Sequence, residues 1–111
     1  MTRSNIHIIL TNGKKLKCVA DSSSAPEQGY IVENLILPLL GSGNAEEELK
    51  LLREHCTMNE QRINATYRYE INLITKRISF FEENYDSGRD RFIRGEDITG
   101  RYDNYLFMIR N

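Results

Sequence analysis

Apolar and polar positions fall into blocks along the chain, alternating in some and recurring every three to four residues in others, and each period predicts an element. Ile6 to Leu10 and Leu16 to Ala20 flank Thr11-Asn12-Gly13-Lys14. An Asn-Gly pair between two apolar runs is the strongest short hairpin signal, because both residues tolerate positive φ. With Asn12 and Gly13 as a two-residue loop, Ile9 faces Leu16 and His7 faces Cys18. Ile6, Ile8 and Val19 then share the other side with Lys15 and Lys17.

The next blocks carry a helical period. In Ser24-Ala25-Pro26-Glu27, Ser24 is placed to cap and Glu27 to complete a capping box, so a helix is expected from about Pro26. Tyr30, Ile31, Leu35 and Leu39 form its apolar stripe, Gly29 weakens it, and Pro38 predicts a kink or an end near Leu37. Asn44 followed by Glu46, Glu47 and Glu48 repeats the start signal, with the acids favoured at the positive end of the helix dipole. Ala45, Leu49, Leu52 and Cys56 then form a buried seam, and the helix is expected to fade near Arg62.

From Thr66 the period becomes two: Tyr67, Tyr69, Ile71 and Leu73 share one face, with Arg68, Glu70 and Asn72 opposite. A two-residue loop at Thr75-Lys76 sets Leu73 against Ile78 and Ile71 against Phe80, giving a second hairpin. Residues 84–104 are polar and interrupted by Gly88, Gly95 and Gly100, and read as a long loop, mobile or functional. Tyr105 to Ile109 is apolar on both faces and reads as an interior strand. These elements predict an α+β fold with a mostly antiparallel sheet of about five strands: the N-terminal hairpin, the central hairpin and the C-terminal strand. Two helices pack on one face.

Length and charge narrow this picture. A chain of 111 residues fits a single domain, 1–111, and its hydrophobic and charged fractions of 40% and 28% are those of a globular protein. Fifteen basic and sixteen acidic residues give a net charge of −1, so no long-range field steers the whole molecule to nucleic acid or to a membrane. The apolar run Tyr30 to Leu40 is too short to span a bilayer, and the N-terminus shows no signal-peptide pattern, so a soluble cytoplasmic protein is expected. In that reducing compartment Cys18 and Cys56 are expected to be free thiols, and the sequon at Asn64 is read as chance.

Catalytic chemistry is not signalled. No phosphate-binding glycine loop, His-Glu-x-x-His, Cys-x-x-Cys or nucleophile elbow occurs, and no enzyme activity, catalytic residue, metal or cofactor is expected. The Cys18–His7 pair expected across the first hairpin is a weak nucleophile candidate that packing explains better. Arg89, Arg91, Phe92, Arg94, Arg101 and Tyr102 are the candidate contact residues, since guanidinium groups bind phosphates and aromatic rings stack on bases. Asp86, Asp90, Glu96, Asp97 and Asp103 offset that charge, so nucleic-acid binding through loop 85–102 is the alternative reading. The leading expectation is a non-catalytic interaction module, an adaptor or inhibitor with a protein partner or a homodimer, because Gly29 to Leu40 and the C-terminal segment offer more apolar surface than one core face needs.

Overall fold

A single residue in the first turn decides which face of the sheet becomes the core. In the computed structural model of the protein, which describes residues 2–22 and 24–110, β1 (Ser4–Ile9) pairs antiparallel with β2 (Lys15–Ala20). The Leu10 amide donates to the Lys14 carbonyl at 2.9 Å, the Gly13 amide donates to the Leu10 carbonyl at 2.8 Å, and Gly13 lies at φ 88°. Thr11, Asn12 and Gly13 therefore form a three-residue loop with a left-handed glycine at its end. The partners are Ile6–Cys18, His7–Lys17 and Ile8–Leu16, one residue away from the register expected from the sequence. Side chains alternate between faces, so this slip puts Ile6, Ile8 and Cys18 in the core and His7, Ile9, Lys15 and Lys17 on the opposite face.

The remaining strands are β3 (Thr57–Met58), β4 (Tyr67–Asn72), β5 (Arg77–Asp86) and β6 (Arg91–Asp97), giving a six-stranded sheet of order β3-β2-β1-β4-β5-β6. This corrects the expected count of about five strands to six, and the sheet is mixed: β1 and β4 run parallel, while every other pair is antiparallel as expected. The parallel pair arises because the chain leaves β2, forms the helices and β3, and returns on the far side of β1. In the second hairpin Ile71 pairs with Ile78 and Tyr69 with Phe80, a two-residue shift from the expected register that leaves every side chain on its expected face. The wider turn is held by Asn72, whose Oδ1 accepts from the amides of Ile74 at 3.0 Å and Thr75 at 3.3 Å.

The expected long loop at 84–104 is replaced by structure. β5 continues to Asp86, turns, and returns as β6, with the alternation interrupted by a bulge between Phe81 and Glu83. The expected C-terminal strand is instead part of a helix, α4 (Thr99–Arg110). Asp97 Oδ1 accepts from the Thr99 amide at 2.9 Å at its start, and Tyr102, Tyr105 and Leu106 recur at the helical spacing and pack on the core.

The first helical segment runs as α1 (Gly29–Ile31), a π-helical turn (Val32–Ile36) and α2 (Leu37–Gly41). Pro38 has no N–H to give Asn34, and the chain meets this by widening its hydrogen bonding: the Leu37 amide reaches back to the Val32 carbonyl. The helix thus passes Pro38 rather than ending before it. Ser24 caps no helix; it is buried, accepts from Ser4 Oγ at 2.9 Å and ties the connector to the sheet. The next helix, α3 (Ala45–His55), starts as expected, with Asn44 Oδ1 accepting from the amides of Glu46 at 2.8 Å and Glu47 at 3.2 Å. It ends before the expected Arg62, because Cys56 turns extended and leads into β3.

The core forms where Ile31, Val32, Leu35, Ile36, Leu39 and Leu52 cover Ile6, Ile8, Cys18, Tyr69, Ile71 and Phe80, with Tyr102 closing one end. All helices lie on this side. Among the described residues no helix is long and apolar enough to cross a membrane.

One acid of the α3 first turn is not on the wet side. Glu48 is fully buried, and its Oε1 accepts from the Thr11 amide at 2.9 Å while the Thr11 hydroxyl donates to Oε2, so α3 is pinned to the first hairpin. Burial alone would raise its carboxyl, but the Thr11 hydrogen bonds outweigh burial and hold it below the ordinary 4.5. A depressed folded value stabilises the protein fully above the unfolded value and loses that contribution as pH falls through the folded one. Glu48→Gln is therefore expected to cost about 1–3 kcal/mol at neutral pH. Urea titrations of both proteins from neutral to acid pH should show the gap narrowing below pH 4.5; a gap constant with pH would remove this role.

Candidate functional site

With the helices on one side, the other face of β2, β1, β4 and β5 is left open. Registers align two rows of side chains across it: Lys17, His7, Glu70 and Ser79, then Lys15, Ile9, Asn72 and Arg77. These residues and Thr75 line an open depression of about 470 Å³. At one end the segment 59–66, which joins β3 to β4, crosses the sheet, and beneath it Asn5 and Val19 are fully buried.

A buried ion pair anchors that crossing. The Glu83 side chain is 1% exposed and that of Arg68 11%. Arg68 Nη2 donates to Glu83 Oε1 at 2.9 Å, and Asn5 Nδ2 donates to Glu83 Oε2 at 3.0 Å. Asn5 also grips the crossing segment by its main chain, accepting from the Arg62 amide at 2.7 Å and donating to the Arg62 carbonyl at 3.0 Å. Arg68 was legible from the strand alternation, whereas Asn5 and Glu83 lie too far apart in sequence for any pattern to join them.

His7 sits between this pair and the depression, with its Nε2 3.1 Å from Gln61 Nε2. Burial first, then the charges of Arg68 and Lys17, hold its imidazole below the ordinary 6.5, with Glu83 and Glu70 opposing them. The ring is therefore neutral at pH 7. Glu70 is itself occupied: Arg94 Nη1 donates to its Oε1 at 3.0 Å, and Arg68 Nη1 lies 3.7 Å from its Oε2. Lys15, Lys17 and Arg77 make no ion pair with any described residue.

The six candidate contact residues do not form one patch. Arg89 is at the tip of the β5–β6 hairpin, 3.7 Å from Asp86, and Arg91 is exposed on β6. Phe92 stacks edge-on against Tyr85, and the Arg94 guanidinium lies 4.5 Å from the Phe81 ring centroid, both on the open face. Arg101 and Tyr102 are on the helix side, where Arg101 pairs with Glu27 and donates to Tyr67 at 3.1 Å while Tyr102 is buried against Phe80. The sheet therefore separates them from Phe92 and Arg94.

The Cys18–His7 pair does not form either, because the hairpin register puts the two on opposite faces. Both cysteines are free thiols. Cys56 packs against the core that holds Cys18 instead, and the neighbouring Cys18 thiol, together with burial, raises the Cys56 thiol far above its ordinary value, which leaves it a poor nucleophile. His55, next to Cys56 in sequence, bonds Tyr30 through Nδ1 at 2.9 Å.

No family model, curated protein or solved structure matches this chain.

Proposed function

We propose that the chain is a non-catalytic protein-interaction module of the cytoplasm that self-associates through the free edge of β6. The observation that carries this reading is the asymmetry of the two sheet edges. β3 is two residues long, while β6 runs for seven and, among the described residues, pairs with β5 on one side only. In an antiparallel ladder alternate residues turn both backbone groups away from the neighbour, so β6 offers a row of donors and acceptors to a second strand. Charges on an edge discourage indiscriminate pairing. Here they are sorted along the strand, with Arg91 and Arg94 in its first half and Glu96 and Asp97 in its second.

Two copies related by a two-fold axis meet antiparallel, which sets the basic half of each against the acidic half of the other. The contact closes on itself, giving a dimer and not a fibre. The non-catalytic part of the reading is supported by the separation of His7 from Cys18 and by the raised Cys56 thiol.

Charge exchange tests it. Arg91→Glu and Glu96→Lys, both at exposed positions, should each weaken self-association in sedimentation equilibrium by about tenfold, or ~1.4 kcal/mol. An equimolar mixture of the two variants should restore it. A wild type that stays monomeric at millimolar concentration and low salt would overturn the proposal.

A further inference from the structure

We propose that the open depression on the bare sheet face binds a phosphate ester of nucleotide size, with Lys15, Lys17 and Arg77 neutralising the phosphate. This surface lies on β2, β1, β4 and β5, and the inference stands independently of β6.

The chain carries a net charge of −1, yet the acids around this part of the face are already paired, Glu83 with Arg68, Glu70 with Arg94 and Arg68, and Glu60, beside Lys15 and Lys17, with Arg62. Three cations with no acidic partner among the described residues remain around one depression. Strands lie about 4.8 Å apart, so Lys15 on β2 and Arg77 on β5, at opposite ends of one row, have backbones roughly 14 Å apart. Both line the depression, and a span of that width suits a ligand larger than a bare ion. A guanidinium fork with ammonium point charges is the donor set that recognises phosphate oxygens.

The floor between these walls supplies the rest of a nucleotide's chemistry. Ile9 lies mid-row and half-buried, an apolar surface for a planar ring. Asn72 has its Oδ1 committed to the turn, which leaves its Nδ2 as a donor, and Ser79 adds a hydroxyl. The volume of about 470 Å³ falls within the range of small-ligand sites. His7 reports on occupancy: Arg68 and Lys17 depress its imidazole pKa, and a bound anion in the same depression would act in the opposite direction.

The test is a two-dimensional NMR titration of the full chain with adenosine monophosphate and, separately, a short single-stranded oligonucleotide. Millimolar monophosphate should shift the resonances of His7, Ile9 and Asn72 and raise the His7 pKa. The double variant Lys17→Ala, Arg77→Ala, with an unchanged thermal midpoint as its folding control, should bind about tenfold more weakly. Tighter binding of the oligonucleotide at the same residues assigns the ester to a strand, and equal binding assigns it to a free nucleotide; both support the site. Absence of shifts with either probe, or shifts that survive in the double variant, would overturn it.

Discussion

Phe80→Ala is expected to lower the stability of the fold by about 3–5 kcal/mol, a large part of the ~5–15 kcal/mol that holds a domain together. Phe80 is fully buried on β5, with the Tyr69 ring centroid at 4.5 Å on one side and that of Tyr102 at 4.7 Å on the other. Its ring joins the sheet to α4, so truncation leaves a cavity that neither aromatic neighbour can fill without moving its own element. Met108→Ala, at a position 73% exposed on the same helix, should change stability by about 0.5 kcal/mol or less. Urea denaturation of the two variants checks the contrast. Equal midpoints would show that α4 does not close the core.

Glu83→Ala should also be costly, by about 3–5 kcal/mol, because it leaves the nearly buried Arg68 guanidinium with only the more distant Glu70 carboxylate, at 3.7 Å. Asn5 loses an acceptor at the same time, so its grip on the Arg62 main chain should loosen. The pair itself need not contribute that much, since desolvating both charges offsets most of their attraction. The double replacement Arg68→Met, Glu83→Leu should therefore recover most of the loss. Denaturation midpoints of the single variants Arg68→Met and Glu83→Leu and of the double variant form the cycle that separates these effects. A double variant as unstable as Glu83→Ala would mean that the position needs charge and not merely satisfied partners.

Elements with a clear local period could be read from the sequence. The alternation at Tyr67 to Leu73 and the Asn44 cap describe interactions between near neighbours, and both are found in the structure. What failed depended on turn geometry or on distant partners. Asn12-Gly13 signals a hairpin correctly, but whether Gly13 closes a two- or three-residue loop is settled by the bond between Leu10 and Lys14, and that one residue put His7 and Cys18 on opposite faces. The apolar run Tyr105 to Ile109 fits an interior strand as well as a helix; the Asp97 cap and the spacing of Tyr102, Tyr105 and Leu106 decide for the helix.

The candidate site was legible only in fragments. Arg68, Glu70 and Asn72 were rightly grouped on one face by their alternation. Arg77 joins them through the β4–β5 hairpin, whereas Lys15 and Lys17 do so only once β4 pairs with β1, a parallel contact across the whole helical segment that nothing local announces. Glu48 and Glu83 were hidden for the same reason, since a buried acid looks like any surface acid until its donor, Thr11 or Arg68, is placed beside it.

The measurement that most directly addresses the role of β6 is amide hydrogen exchange along Arg91–Asp97 as a function of protein concentration. If the edge pairs with a second copy, alternate amides of β6 should become protected as concentration rises, and Arg91→Glu should move that gain to about tenfold higher concentration. Exchange on β6 that stays fast at every concentration, while β1 and β4 remain protected, would contradict the account.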